Sequence, residues 1–204
     1  MIVSKIEFPQ FTGIKCTMMP FIQGDSKSLP DIYQPYADII DNMYLENGDI
    51  GYLTIDESYV LANSSQRGYN SIGIDRNVHI EVGIHQDIYA WGGGGTSTGW
   101  GRSRKTLLNK NTKVLIANSI SNTCRLWDKL HMKPTNDGDL SEYITEYPIH
   151  EGLLMKAGEV ANISIFTPHE CVNQLISGNR QFIRIVGNGV TGREEYFTVN
   201  PLLQ

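Results

Sequence analysis

The sequence predicts a mainly β protein, a sandwich or barrel, with one helix near the N-terminus. Short segments rich in β-branched and apolar residues recur along the chain, and turns rich in Gly, Asn and Ser separate them. Many short strands after a single helix favour a sandwich or barrel over a parallel βαβ sheet. At 204 residues with 40% hydrophobic content, we expect residues 1–204 to form one domain.

The predicted helix covers residues 29–45, "LPDIYQPYADIIDNMYL". Pro30 and Asp31 are typical of a helix start. Apolar side chains then recur at helical spacing, at Ile32, Tyr36, Ile39, Ile40 and Met43. Pro35 lies inside the segment and is expected to kink or delay the helix, because proline has no backbone N–H.

The strands are predicted from short β-rich segments. The clearest are residues 50–62, 77–91, 112–120, 158–166 and 180–187, with further candidates in "IVSKIEF", "IKCTMM" and "EEYFTV". Segment 77–91 reads as a single strand that ends at four glycines, residues 92–95. Glycine adopts backbone angles that other residues avoid, so we expect a flap over residues 91–105 that closes on substrate.

The amino-acid composition limits the classes of molecule that the protein is expected to bind. A net charge of −5 disfavours a general polyanion binder, so nucleic acid is an unfavoured partner and a small-molecule substrate is preferred. The basic cluster after the flap, Arg102, Arg104, Lys105, Lys110 and Lys113, fits an anionic substrate and leaves nucleic-acid base oxidation open.

Three cysteines without a C-x-x-C spacing indicate a reducing compartment. With no apolar run long enough for a membrane span, we expect a cytoplasmic protein; the oligomeric state is not indicated.

A metal site is predicted from alternation on a strand and one distant histidine. In a strand, His85 and Asp87 project from the same face, and His169 follows another predicted strand. Two histidines and one carboxylate form the ligand set of non-haem iron oxygenases. His79 and Glu81 are a rival pair with the same spacing. We favour His85 and Asp87 because the glycines that follow place this pair at the end of the strand.

Two arginines follow His169 on the next predicted strand. Arg180 lies 11 residues and Arg184 lies 15 residues after His169, beyond the turn "ISGN". Positions 180, 182 and 184 share one face of that strand. A guanidinium there can form a bidentate pair with the carboxylate of a ligand.

These motifs resemble the iron(II)/2-oxoglutarate-dependent dioxygenases. "HQDIY" and "GEVANISIFTPHECVNQLISGNRQFIR" are most similar to the phytanoyl-CoA-hydroxylase-like branch, whereas "HIEVGIH" is similar to a stretch of clavaminate-synthase-like oxygenases. The resemblance covers roughly residues 77–187 and lacks the branch's usual Gly-rich and Pro-Gly-Ser-His signatures. It implies a double-stranded β-helix (jelly-roll, cupin-like) with an N-terminal helix.

The same resemblance implies the activity and its cofactors. Fe(II) would be bound by His85, Asp87 and His169, and the C5 carboxylate of 2-oxoglutarate by Arg180. The implied reaction is hydroxylation, in which decarboxylation of 2-oxoglutarate is coupled to oxidation of a substrate C–H bond. Two alternatives stay open: a cupin-type metalloenzyme without 2-oxoglutarate, and a non-catalytic jelly-roll binding or structural module.

Overall fold

The protein is described from a computed structural model, which covers residues 1–64, 76–85, 88–91, 110–135, 138–188 and 197–203; the side chains of residues 85 and 88–91 are not included. Within these ranges the chain is mainly β, with antiparallel sheets and one short α-helix. No helix in these ranges is both long enough and apolar enough to cross a membrane.

Eleven strands are found in the described residues, and most match segments expected from the sequence. They are β1 Ile2–Lys5, β2 Lys15–Ile22, β3 Ile50–Val60, β4 Val82–His85, β5 Ile88–Trp91, β6 Lys113–Asn118, β7 Cys124–Leu126, β8 Leu153–Leu154, β9 Glu159–Ser164, β10 His169–Cys171 and β11 Gly178–Val186. Short 3₁₀ turns cover Ser26–Ser28, Asp31–Tyr36, Ser141–Glu146, Ile149–Glu151 and Pro201–Leu203. Half of the expected strand "EEYFTV", residues 194–196, falls outside the described residues, and no strand is found in residues 197–199.

The helix expected over residues 29–45 is shorter in the structure. A 3₁₀ turn, Asp31–Tyr36, contains Pro35, and the α-helix α1 follows at Ala37–Asn42. Because Pro35 has no backbone N–H, regular α-helical hydrogen bonding is established only after it. Ile39 and Ile40 are buried in a cluster that also contains Ile183 and Ile185 of β11. The helix therefore covers the outer face of the sheet to which β11 belongs.

The large sheet has six strands in the order β1-β9-β6-β11-β3-β2. Strand β11 lies near its centre and pairs with both β3 and β6. Ile183 and Ile185 of β11 pack on the helix side, whereas Phe182 and Val186 pack in a second core on the opposite face. Because side chains alternate along a strand, Arg180 and Arg184 share this second face with Phe182.

A smaller sheet, β10-β7-β8, lies across the second core from the large sheet. An extended segment, residues 78–84, continues this sheet through backbone hydrogen bonds. His79 and His169 exchange both N–H···O bonds at 2.9 Å, and the N–H of Glu81 donates to Ile165 at 3.0 Å. This pairing places His79 and Glu81 beside the start of β10.

Strands β4 and β5, within residues 82–91, form a hairpin, so the expectation of a single strand over residues 77–91 is wrong. Strand β4 pairs with β5, with His85 opposite Ile88 and Val82 opposite Trp91. The chain therefore reverses between residues 85 and 88. The expectation that His85 and Asp87 share one face of a continuous strand consequently loses its basis. Asp87 itself lies outside the described residues, as do nearly all of the proposed flap and Arg102, Arg104 and Lys105 of the basic cluster.

A buried carboxylate connects the N-terminal segment to the outer face of the large sheet. Glu57 Oε2 accepts the backbone N–H groups of residues 12–14 at 2.7, 2.5 and 3.0 Å. Its Oε1 accepts the Tyr36 hydroxyl at 2.7 Å and the Gln181 amide at 2.9 Å. Burial alone would raise the pKa of Glu57, but hydrogen bonds from Tyr36, residues 12 and 14 and Gln181 outweigh burial and lower the pKa.

Replacing Glu57 with Gln should lower the free energy of unfolding by about 3 kcal/mol, because an amide cannot accept all of these donors and leaves buried N–H groups unsatisfied. Urea unfolding at pH 7 measures the difference. The matched control is Glu46→Gln on the exposed surface, which should change stability by less than about 0.5 kcal/mol. Equal effects from the two substitutions would contradict a structural role for Glu57.

The pH dependence of stability tests the ionised state of the same group. Because the folded pKa lies below the ordinary value of 4.5, the contribution of Glu57 is complete above pH 4.5 and is lost as the pH falls through the folded pKa. The stabilities of wild type and Glu57→Gln should therefore converge in acid. A gap between them that stays constant from pH 7 down to pH 3 would show that ionisation of Glu57 is not involved.

Candidate functional site

His79, Glu81 and His169 come together on the inner face of the smaller sheet. All three are buried, with 1%, 2% and 6% of their surface exposed. The ring centroids of His79 and His169 are 4.2 Å apart, and His169 Nε2 lies 3.6 Å from Glu81 Oε1. The backbone pairing of residues 79 and 169 therefore brings two imidazoles and one carboxylate, up to 90 residues apart along the chain, into one cluster.

Backbone carbonyl groups fix the orientation of the two imidazole rings. His79 Nδ1 lies 2.9 Å from the carbonyl oxygen of Asn77, and His169 Nδ1 lies 2.9 Å from that of Thr167. A carbonyl can only accept, so each Nδ1 carries a proton and donates. In the neutral ring, Nε2 is then the nitrogen with the lone pair, which is the form in which histidine binds metals.

Glu81 also forms an ion pair with the large sheet. Its Oε2 accepts Arg184 Nη1 at 2.9 Å, and both side chains are almost fully buried. Arg184 Nη2 additionally donates to the Thr54 hydroxyl at 3.4 Å. The ion pair leaves Oε1 directed toward His169 Nε2. A carboxylate oxygen and an imidazole lone pair that face each other repel unless a proton or a metal ion lies between them.

Arg180 occupies the same face of β11 as Arg184, four residues before it along the strand. Its guanidinium is 2% exposed. Its Nη2 donates to Asn118 Oδ1 and, at 3.5 Å, to the carbonyl oxygen of Thr123. Both acceptors are neutral, and Arg180 Nε and Asn118 Nδ2 have no hydrogen-bond partner among the described atoms. Burial of a guanidinium among neutral acceptors is costly, so this position favours an anion.

Glu170, next to His169, faces the opposite side of the smaller sheet. Its carboxylate pairs with Arg125 of β7 and with Arg76, whose Nε is 3.1 Å from Oε2. Arg76 also lies over the Trp127 ring, 5.2 Å from its centroid. Because neighbouring residues of a strand point to opposite faces, this outer ion cluster holds β10 in the rotation that directs His169 inward.

Only some of the site residues predicted from the sequence lie in the part of the chain that the structure describes. His169, Arg180 and Arg184 are described, lie inside the protein, and share the core between the sheets with His79 and Glu81. Asp87 and the side chain of His85 lie outside the described atoms, so the His85/Asp87 pair stays a prediction. The backbone register places His79, and not His85, opposite His169.

Two of the contacts in the candidate site have no signal in the sequence. Thr54 and Asn118 hold Arg184 and Arg180, but each lies in a strand with no motif around it. Their position follows from the pairing of β11 with β3 and β6, in which Arg184 stands opposite Thr54 and Phe182 opposite Asn118. Such contacts depend on sheet register, which a single sequence does not reveal.

Two imidazole nitrogens and one carboxylate oxygen are atom types that bind divalent metals, but these atoms lie farther apart here than the ligands of a bound metal ion do. As they stand, no three His, Cys, Asp or Glu side chains of the described chain are arranged to hold a metal ion. Two ligands about 2.1 Å from one ion and at right angles would be about 3 Å apart, whereas Glu81 Oε1 and His169 Nε2 are 3.6 Å apart. Small side-chain rotations toward a common centre would close this gap.

Comparison with protein-family models, curated proteins and solved structures finds no match for this chain. The function therefore has to be inferred from the chemistry of the site.

Replacing Arg184 with Met should lower the free energy of unfolding by about 3–5 kcal/mol, because it leaves the Glu81 carboxylate buried beside an apolar side chain. Urea unfolding of metal-free protein measures this change, and the double variant Arg184→Met/Glu81→Gln should recover part of the loss. The control is Lys133→Met, which breaks an exposed pair with Glu146 and should cost less than about 1 kcal/mol. Similar losses in the two single variants would contradict a structural Glu81–Arg184 ion pair.

Proposed function

We propose that this protein is an Fe(II)- and 2-oxoglutarate-dependent dioxygenase that oxidises a C–H bond of a small molecule. The proposal assigns the metal ligands to His79, Glu81 and His169, the pair given as the rival in the sequence together with the distal histidine. The single observation that carries it is the convergence of two inward-facing imidazoles and one carboxylate at Arg184, with a second buried arginine on the same strand face.

The strand order supports a double-stranded β-helix. In such a fold a long hairpin of eight strands rolls up, so that the first pairs with the eighth, the second with the seventh, the third with the sixth and the fourth with the fifth. Counting β3 as the first strand and segment 78–84 as the second, these pairs correspond to β3 with β11, His79 with His169, β6 with β9, and β7 with β8. Rolling also pairs the eighth with the third and the seventh with the fourth, as β11 with β6 and β10 with β7 do.

The chemistry of the donor set supports ferrous iron. Two imidazole nitrogens and one carboxylate oxygen on one side of an ion leave its other coordination positions open. When bound, the iron would supply the activation of O2 that C–H oxidation requires. The protein's own part is to orient the ligands: carbonyl groups hold the two imidazoles by Nδ1, and Arg184 holds the second oxygen of Glu81.

Arg180 is the residue that we assign to 2-oxoglutarate. Arg184 is already engaged by the Glu81 carboxylate, whereas the described hydrogen bonds of Arg180 go to the neutral oxygens of Asn118 and Thr123. The C5 carboxylate of 2-oxoglutarate would supply the negative charge that this guanidinium lacks among its described contacts. Arg180 would thereby fix the co-substrate at one end, and the metal centre would bind its 2-oxo acid end.

Metal binding tests the assignment of ligands. His79→Ala, Glu81→Ala and His169→Ala should each abolish binding of Fe(II), measured anaerobically by calorimetry, because each removes one of three donor atoms. Far-UV circular dichroism checks that each variant is folded. His85→Ala and Asp87→Ala are the matched controls and should bind Fe(II) as wild type does. The reverse pattern, with loss at residues 85 and 87 only, would assign the metal to the other pair.

Co-substrate binding distinguishes this proposal from a cupin-type metalloenzyme or a binding module. Anaerobic Fe(II) and 2-oxoglutarate together should give wild-type protein a visible charge-transfer band. Arg180→Met should weaken 2-oxoglutarate binding, followed by this band, by a factor of at least about 30, since an unpaired buried carboxylate costs on the order of 2–5 kcal/mol. Lys15→Met, an exposed control, should leave the affinity unchanged. Absence of the band in wild type would exclude 2-oxoglutarate as the co-substrate.

A further inference from the structure

Cys124 and Cys171 stand opposite each other in the smaller sheet. The register of β7 and β10 pairs Cys171 with Cys124, one position from the pair Glu170–Arg125 and two from the pair His169–Leu126. The N–H of Val172 donates to the carbonyl of Thr123 at 3.0 Å, which makes the two cysteines a pair without hydrogen bonds between their own backbones. Such pairs bring their side chains closer together than hydrogen-bonded pairs do.

The backbone of this pair fits a disulfide. Opposite residues at a non-hydrogen-bonded position have Cα atoms about 4.5 Å apart, within the range of about 4.4–6.8 Å that disulfides require. Both side chains lie on the same face of the sheet, because the ion pair between their neighbours Glu170 and Arg125 occupies the other face. Neither residue forms a disulfide in the structure, so both sulfurs are present as thiols.

We propose that Cys124 and Cys171 form a reversible disulfide, a redox site that no part of the proposed oxygenase chemistry requires. The oxidant would be hydrogen peroxide. The Cys171 sulfur would attack the peroxide, giving a sulfenic acid and one water, and the Cys124 sulfur would then displace a second water to form the S–S bond. Two thiols thus lose two electrons and two protons, and hydrogen peroxide is reduced to two waters.

Exposure identifies which thiol reacts first and provides an internal control. Cys171 is partly exposed, whereas Cys124 and Cys16 are buried. Cys16 lies in β2, in the separate core beneath α1, and burial raises its pKa to about 12. Cys16 should therefore stay reduced under conditions that oxidise the pair.

The pair also lies between the two parts of the candidate site. Cys171 shares its strand face with His169, two residues away, and Cys124 follows Thr123, whose carbonyl accepts the Arg180 guanidinium. An S–S bond would join the two strands on the inner face between these contacts. Only this regulatory consequence, weaker 2-oxoglutarate binding after oxidation, rests on the proposed function.

Peptide mapping tests the disulfide in metal-free protein treated with hydrogen peroxide and chelator. The three cysteines fall on separate tryptic peptides, residues 16–27, 114–125 and 157–180. We expect peptides 114–125 and 157–180 to appear joined without reductant, 2 Da lighter than their sum, and to separate with dithiothreitol. Cys16→Ser should leave the joined peptide unchanged, and Cys124→Ser or Cys171→Ser should eliminate it. Joined peptides involving Cys16, or irreversible oxidation of Cys171 without joining, would overturn the proposal.

Calorimetry with 2-oxoglutarate and Fe(II), under anaerobic conditions, tests the consequence for the site. Oxidised wild type should bind 2-oxoglutarate at least about threefold more weakly than reduced wild type, and peroxide-treated Cys124→Ser should bind like the reduced protein. A disulfide without any change in affinity would overturn the regulatory role while the redox site stands. If neither redox form bound 2-oxoglutarate, the proposed function would fail, and the peptide map would still decide the disulfide.

Discussion

The Glu81–Arg184 ion pair is the contact on which the inner architecture depends. It links the segment that carries His79 to the central strand of the large sheet, and thereby spans the core between the two sheets. An ion pair in this position costs desolvation energy that apolar side chains would avoid, so it is poor evidence of stability for its own sake. Its value lies in orientation, because it fixes one carboxylate oxygen and directs the other toward His169.

The outer ion cluster completes the same arrangement from the other side. Glu170 is held by Arg125 and Arg76 on the outer face, while His169 points inward from the adjacent position. A strand of only three residues, His169–Cys171, is thus fixed by charges on one face and by backbone bonds to His79 along its edge. Precise placement of a side chain on a short strand requires both kinds of restraint.

The sequence predicted most strands, but it did not indicate that His79 and Glu81 would lie beside His169. Alternation of apolar residues marks β3, β6, β9 and β11 because each is a strand with at least one buried face. His79/Glu81 and His85/Asp87 have the same spacing and parity, so alternation alone cannot separate them. In the described residues they differ in that β4 and β5 pair as a hairpin and that His79 pairs with His169, and neither feature leaves a local signal.

The helix and the buried contacts of Glu57 also show which features could not be predicted from the sequence. The prediction that Pro35 delays the helix is confirmed. The 3₁₀ turn before the helix also packs Tyr33 and Tyr36 against the large sheet, and this packing could not be predicted from the local sequence. No sequence motif marks Glu57. Its role arises because residues 12–14, which precede β2, present three N–H groups to one of its oxygens. Contacts of this kind are set by tertiary packing, which overrides local preference.

The first 22 residues of the chain occupy both borders of the large sheet. β1 pairs with β9 on one side and β2 pairs with β3 on the other, so they flank the four central strands β9, β6, β11 and β3. Strand borders carry unsatisfied backbone groups that can recruit other chains into aggregates. The N-terminal segment therefore supplies the border strands of the described sheet itself, so that β9 and β3 are paired on both sides. A β1 of four residues and a β2 that contains Pro20 are poor templates for a further strand, because short strands and proline discourage pairing at an edge.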